Sequence, residues 1–421
     1  MRDLTWADPF DEQAREILRR NDKGRYTIPT AGLYPYQWNW DSAFAAIGFA
    51  EFDLDRAWRE IETLFEGQWD NGMVPHILFH VPDEGYFPSH DVWKGTGPVA
   101  SSGISQPPVA AAMARQIFER DPEVGAQRMA GLFDKMVAWH RWFINWRLDR
   151  GAVCITHPWE AGRDNAPDWD VAMAAITPEG VGDYKRRDTS HVDSSMRPTK
   201  YDYDRYVWLV QRGARMGWNE ALMLEDTPFR VADPTMTFTL LRSMRDLAAI
   251  GRIMGRDIND FTGWIATLEE GAATLWNDDL GCYDSRDVRS GTWANAISNA
   301  SFLCWYAGLD TAGMRDIYAN VQAQVKYGVP SLSPQDDRFD SKRYWRGPVW
   351  GVMNLMIGLG LTEMGLEAEG EALRASTADL IAEHGFAEYF DPMDGSPAGG
   401  SSFTWTAAIW LGWASPNARG K

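Results

Sequence analysis

Long hydrophobic runs are missing from this chain. The longest nearly uncharged stretch, Pro348 to Leu361, is interrupted by Asn354 and falls short of the roughly 20 apolar residues that a bilayer crossing requires. Cysteine is scarce too: Cys154, Cys282 and Cys304 are odd in number, widely separated and form no C-x-x-C or Cys/His spacing, which argues against a disulfide framework and a zinc site. Seven histidines, none closely paired, leave metal catalysis little to draw on, and no motif calls for a cofactor. Positive charge is in deficit, with 41 Lys plus Arg against 59 Asp plus Glu and a formal net charge of −18, which makes phosphate backbones and anionic lipid surfaces poor partners. Strand-like alternation is rare and brief, and no Pro- or Ser-rich linker divides the chain. The opening stretch, Met1-Arg2-Asp3-Leu4-Thr5-Trp6, lacks the apolar segment of a signal peptide, so the chain is expected to be cytoplasmic.

Flat rings are abundant. The 421 residues include 22 Trp, 14 Tyr and 18 Phe, more than packing alone explains where the rings sit beside acids in loops. A ligand with an apolar face and hydroxyls, such as a sugar, suits that combination.

The coarse pattern is helix after helix. Asp233-Pro234 reads as an N-cap followed by proline at the first helical position, and Met236, Leu240, Leu241, Met244, Leu247 and Ala248 continue the stripe to Gly251. A second clear stripe runs from Ile258 to Trp276, and further amphipathic runs cover about 10–20, 41–50, 54–66, 107–119, 123–147, 202–217, 293–307, 310–321, 346–363, 366–384 and 404–413. Helix ends repeat faintly as Trp69-Asp70-Asn71-Gly72, Trp146 with Asp149-Arg150-Gly151, and Trp276 with Asp279-Leu280-Gly281, at an irregular period. A linear solenoid would keep a stricter period, so the pattern predicts an all-α toroid of helical hairpins, an (α/α)6 barrel. One catalytic barrel is expected over 1–421, with lid-like loop insertions around 67–105 and 157–200.

Four loop clusters carry candidate chemistry. In Tyr34-Pro35-Tyr36-Gln37-Trp38-Asn39-Trp40-Asp41, the Asp41 carboxylate can take two sugar hydroxyls while Trp38 or Trp40 covers the apolar face; it reads equally well as the N-cap of the helix that follows. In His157-Pro158-Trp159-Glu160-Ala161-Gly162-Arg163-Asp164-Asn165, glycine and the proline at 167 hold Asp164 in an irregular loop between Trp159 and Trp169, where a functional reading outweighs an exposed turn. Glu388, in Phe386-Ala387-Glu388-Tyr389-Phe390-Asp391, has apolar neighbours that raise the cost of ionisation, which suits a carboxylate that activates water better than a helix cap. Arg343-Tyr344-Trp345-Arg346-Gly347-Pro348 offers guanidinium forks for an anionic group, although arginine packed on tryptophan is about as common. Two carboxylates from separate loops at one aromatic mouth meet the requirements of glycoside hydrolysis. The sequence has no G-x-S-x-G, no G-x-G-x-x-G after a strand, no Walker loop and no H-E-x-x-H.

Taken in order, Tyr36–Asp41, Trp159–Asn165, Tyr344–Trp350 and Glu388–Pro392 resemble the successive signatures of glycoside hydrolase family 63, and more narrowly of its short bacterial mannosylglycerate/glucosylglycerate hydrolase subgroup. The resemblance implies an (α/α)6 barrel that cleaves α-glycosides with inversion, with Asp164 as general acid and Glu388 as general base. It also implies that Tyr36, Trp40, Asp41 and Gln106 hold the glycosyl ring, that Tyr86 closes over it, and that Arg205, Tyr344 and Trp345 face glycerate. Trp38, Trp159, Gly162, Arg163, Asn165 and Arg346, inside the same motifs, complete the expected substrate contacts. Ala161 and Ala166 stand where the family usually carries serine, and the large N-terminal β-domain of its long members is not found.

The expected partner is therefore a small anionic glycoside, with neither nucleic acid nor membrane, and a homo-oligomer stays open. An α-glucosidase or trehalase-like hydrolase of small oligosaccharides is the alternative, and a non-catalytic carbohydrate-binding barrel the next. Mannose and glucose differ at one hydroxyl, and no single residue distinguishes them.

Overall fold

The computed structural model describes residues 7–420. The opening stretch read from the sequence, residues 1–6, lies outside them. Thirteen helices organise the described chain: α1 (Ala7–Asn21), α2 (Asn39–Phe49), α3 (Leu54–Glu66), α4 (Ala110–Arg120), α5 (Pro122–Trp146), α6 (Lys200–Arg215), α7 (Pro234–Met254), α8 (Asn259–Ala273), α9 (Leu303–Tyr306), α10 (Met314–Gln322), α11 (Gly351–Glu363), α12 (Glu367–His384) and α13 (Thr404–Ile409).

Local chemistry starts many of them. Asp53, Asp121 and Asp233 each accept a backbone N–H in the first turn of α3, α5 and α7, and Thr199 with Asp202 forms a capping box on α6. Six of the helices pack side by side in a closed ring, in the order α2, α4, α7, α9, α11, α13 and back to α2. The inner helices bury most of their surface, and all eleven residues of α2 and all six of α13 are buried. An outer layer covers the ring: α3 on α2, α5 on α4, α8 on α7, α12 on α11 and α1 on α13. The sixth pair closes through Tyr318 of α10, which lies edge-on to Phe302 and Trp305 at 5.4 and 5.5 Å. At Gly360, a Cβ would come within 2.3 Å of the Tyr306 amide nitrogen, so only glycine lets α11 and α9 approach this closely. The architecture is the (α/α)6 barrel that the hairpin pattern predicts.

One expected helix is mostly absent. Of 293–307, only Leu303–Tyr306 is helical. The buried Asp284 carboxylate takes the amides of Asn295 and Ala296, and Asn295 adopts φ 51°, so these groups are satisfied without a helix. Strands are few and short, as expected, but one small sheet matters. β1 (Leu148–Asp149), β2 (Ala152–Ile155), β3 (Val231–Ala232) and β4 (Arg286–Asp287) pair antiparallel in that order, with Ile155 opposite Val231. This sheet delivers the 157–170 loop to the start of α7. Among the described residues, no helix is long and apolar enough to cross a membrane.

Candidate active site

The loops that precede the inner helices converge on one end of the ring and line a single cavity. Trp38, Trp40 and Asp41 come from the start of α2, Gln106 from the approach to α4, Tyr344 from the approach to α11, and Glu388 with Trp405 from the approach to and first turn of α13. The loop on the small sheet adds Trp159, Gly162 and Asp164. The two long insertions meet beside the cavity: Arg187 pairs with Asp83, Phe87 stacks on Tyr184 at 4.6 Å, and the Tyr203 hydroxyl donates to the Phe87 carbonyl at 3.2 Å.

Glu388 is buried and heavily bonded. Its Oε1 accepts from the hydroxyls of Tyr34 (3.0 Å) and Tyr344 (3.2 Å), its Oε2 from the Gly400 amide (2.8 Å), and Arg197 Nη1 lies 4.0 Å from Oε1. Burial raises its pKa, and Arg197 and these donors oppose the rise. Asp164 has a different environment. Among the described residues no side chain donates to its carboxyl, and burial, reinforced by the charge of Glu388 and opposed by Arg197, pushes it up to about 8. Asp41 rises well above the usual carboxylate range, from burial and then from the charges of Glu388 and Asp164. It is not an N-cap: α2 begins at Asn39 after Trp38, with no side-chain cap, and Asp41 faces the cavity from the first turn.

Gly162 shows why the acid's loop needs glycine. It takes φ 67°, and a Cβ there would lie 2.6 Å from the Trp40 ring. The Trp40 amide in turn donates to Gln106 Oε1 at 3.2 Å, so glycine, tryptophan and glutamine form one continuous wall.

Of the expected site residues, Trp38, Trp40, Asp41, Tyr86, Gln106, Trp159, Gly162, Asp164, Tyr344 and Glu388 line the cavity together. Six others do not. Tyr36 lies behind the wall, its ring 5.1 Å from that of Tyr86. Asn165 is outside the lining but accepts from the hydroxyl of Tyr206, which is in it, at 3.2 Å. Trp345 is fully buried against Trp350, ring to ring at 3.8 Å. The three expected guanidinium groups lie outside the lining for one reason, which is that each is engaged elsewhere. Arg163 is bound to Asp168 and Asp233, Arg205 donates to the Ile176 carbonyl beneath Tyr201, and Arg346 forms a two-pronged pair with Asp170.

Two guanidinium groups do line the cavity: Arg187, already paired with Asp83, and the more deeply buried Arg197. Arg197 donates Nε to Asp188 (3.0 Å) and Nη2 to the Tyr34 hydroxyl (3.0 Å), and its guanidinium carbon lies 3.9 Å from the centre of the Tyr344 ring. Among the described residues its buried Nη1 has no hydrogen-bond partner. Tyr34, Asp188, Tyr203, Tyr206 and Trp405 join it in the lining. Tyr34 stands inside a cluster already visible as aromatic, and Trp405 inside the run read as the last helix; Arg197 sits in an aperiodic stretch that offers no signal.

The cavity can thus hold a polar ring between tryptophans, with one carboxyl that keeps its proton at neutral pH and another surrounded by donors. The model of a family described as a mannosylglycerate hydrolase MGH1-like glycoside hydrolase domain matches residues 34–406. A mannosylglycerate hydrolase, MGH1, of Selaginella moellendorffii is 40% identical over 413 residues, 96% of this chain and 85% of the relative. A glucosylglycerate hydrolase of Mycolicibacterium hassiacum is 33% identical over 433 residues, 95% of this chain and 96% of the relative. The crystal structure of a family 63 mannosylglycerate hydrolase from Thermus thermophilus, in complex with Tris and D-glycerate, superposes with a TM-score of 0.92 at 39% identity, covering 96% of this chain and 99% of that one.

Proposed function

The chain belongs to the mannosylglycerate hydrolase MGH1-like glycoside hydrolases, and from that premise we propose that it cleaves mannosylglycerate or glucosylglycerate to hexose and glycerate with inversion at the anomeric carbon. The observation that carries the reading is the unequal environment of two carboxyls in one cavity. Asp164, without side-chain donors and pushed up to about 8, keeps a proton to give; Glu388 is ringed by Tyr34, Tyr344, the Gly400 amide and Arg197, which oppose the rise that burial imposes on it and favour its anion over that of Asp164. In this reading water attacks the anomeric carbon from the face opposite the leaving group. Glu388 takes a proton from that water as the new C–O bond forms, and Asp164 protonates the glycosidic oxygen as the old bond breaks. Hexose and glycerate leave, and solvent returns the proton to Asp164 and removes the one on Glu388.

Asp41 and Gln106, with Trp38 and Trp40, form the polar and apolar sides of the ring's pocket. Arg197 replaces the guanidinium groups expected from sequence as the anchor for the glycerate carboxylate, since its Nη1 is a buried charged donor that makes no hydrogen bond among the described residues and has only the longer ion pair to Glu388. The insertions joined by Asp83 and Arg187 act as a cover over the site.

Proton NMR of the protein incubated with each α-linked glycosylglycerate, read before mutarotation, tests this function. The β-hexose is expected first, and Arg197→Met should raise KM about 10-fold or more, the size of one lost charge-assisted hydrogen bond. Early α-hexose, or no cleavage of either compound, overturns the proposal.

A further inference from the structure

We infer that Arg163 is a positioning residue for the acid, holding the backbone from which Asp164 is presented; this rests on Asp164 donating the proton. Arg163 is fully buried, and its fork is almost fully used: Nη1 donates to Asp168 Oδ2 (3.1 Å) and Ser298 Oγ (3.3 Å), Nη2 to Asp168 Oδ1 (2.8 Å) and Asp233 Oδ1 (3.0 Å). Both acids are themselves fixed. Asp168 also accepts from Ser285 and Ser298, while Asp233 caps α7 by accepting the Met236 amide at 3.1 Å. The guanidinium therefore ties the acid's loop to an inner helix of the barrel.

The main chain of Arg163 is held as firmly as its side chain. Its carbonyl, which belongs to the peptide leading directly into Asp164, accepts from the Trp169 indole (2.8 Å) and the Ala166 amide (3.0 Å). Among the described residues no side chain hydrogen-bonds to the Asp164 carboxyl to orient it. Its direction is inherited from this pinned peptide and from Gly162, whose close approach to Trp40 fixes the other side. Proton transfer requires donor and acceptor within hydrogen-bond reach, and a shift of about 1 Å caused by a change away from the reacting atoms can cost about 100-fold in rate. Lysine cannot replace the fork, because a single ammonium cannot meet two carboxylates and a hydroxyl in this planar arrangement.

The test compares two substrates: the natural glycosylglycerate, whose leaving oxygen needs a proton, and the corresponding α-glycosyl fluoride, whose leaving group does not. Arg163→Lys and Asp168→Asn, each shown to fold by circular dichroism and thermal melting, are measured beside Asp164→Asn. The expected result for both variants is a kcat on glycosylglycerate lowered about 100-fold with KM within about 3-fold, and activity on the fluoride within about 3-fold of the parent. Equal losses on both substrates, or no loss on either, overturn the inference, as does failure of both variants to fold. Asp164→Asn is the control on the underlying reading: if it too lacks the split between substrates, the acid assignment fails rather than the role of Arg163.

Discussion

At the scale of single residues, burial does the chemical work and neighbours decide its direction. Asp164 and Glu388 share a cavity and the cation Arg197, yet among the described residues only Glu388 receives side-chain hydroxyl donors. The acid must be protonated to act, so activity is expected to fall as pH rises through about 8, the value at which Asp164 loses its proton. The same shift carries a stability cost with a definite sign. An unfolded aspartate titrates near 3.9, so between about pH 4 and about pH 8 the folded protein binds more protons than the unfolded chain at this position, and stability falls with rising pH. Asp164→Asn removes that penalty. Its melting temperature should match the parent at about pH 4 and exceed it by a growing margin up to about pH 8, while kcat drops by about 100-fold or more. Thermal melts across that range, beside initial rates, check both; a margin that shrinks with pH would refute the assigned shift.

At the scale of elements, three active-site loops are each backed by a buried arginine set between two acids. Arg56 lies between Asp22 and Glu60, Arg147 between Glu160 and Glu220, and Arg163 between Asp168 and Asp233. Glu60 shows what such a cluster does for a loop. Its carboxylate takes the Thr27 amide and hydroxyl, Gln37 and the Ser42 hydroxyl as well as Arg56, and thereby braces the stretch that presents Trp38, Trp40 and Asp41. Glu60→Ala leaves Arg56 buried with Asp22 as its only remaining carboxylate partner, and it strands several donors. Chemical denaturation should show a loss of about 3–5 kcal/mol, the cost of breaking a buried pair from one side.

At the scale of the whole molecule, closing six inner helices into a ring brings loops far apart in sequence to one mouth, and Tyr34 reaches Glu388 across 354 positions. The protein that carries this mouth has a net charge of −18, whereas the proposed substrate is an anion. Long-range repulsion should therefore slow encounter at low ionic strength. Salt shortens the Debye length from about 30 Å at 0.01 M to about 8 Å at 0.15 M, while the buried guanidinium of Arg197 is screened far less. On that basis kcat/KM for glycosylglycerate should rise between those salt concentrations, with no comparable change for an uncharged glycosyl fluoride. A fall with salt would place the governing charge at the surface rather than at Arg197.

By itself the sequence determined what local chemistry can encode. Asp233-Pro234 announced α7, apolar periodicity announced most of the inner and outer helices, and acids set among aromatic rings in loops marked Asp41, Asp164 and Glu388. Where one carboxylate could take over the backbone amides, as Asp284 does for Asn295 and Ala296, periodicity misled, because nothing local reveals a partner eleven residues away. The assignment of the arginines belonged to the tertiary structure alone. Arg205 and Arg346 stand beside rings in sequence just as Arg197 stands beside proline, but a guanidinium is committed by whichever carboxylate or carbonyl the fold brings to it. Asp170 and the Ile176 carbonyl claimed two of them, and only the packing of the irregular stretch before α6 turned Arg197 into the cavity beside Glu388.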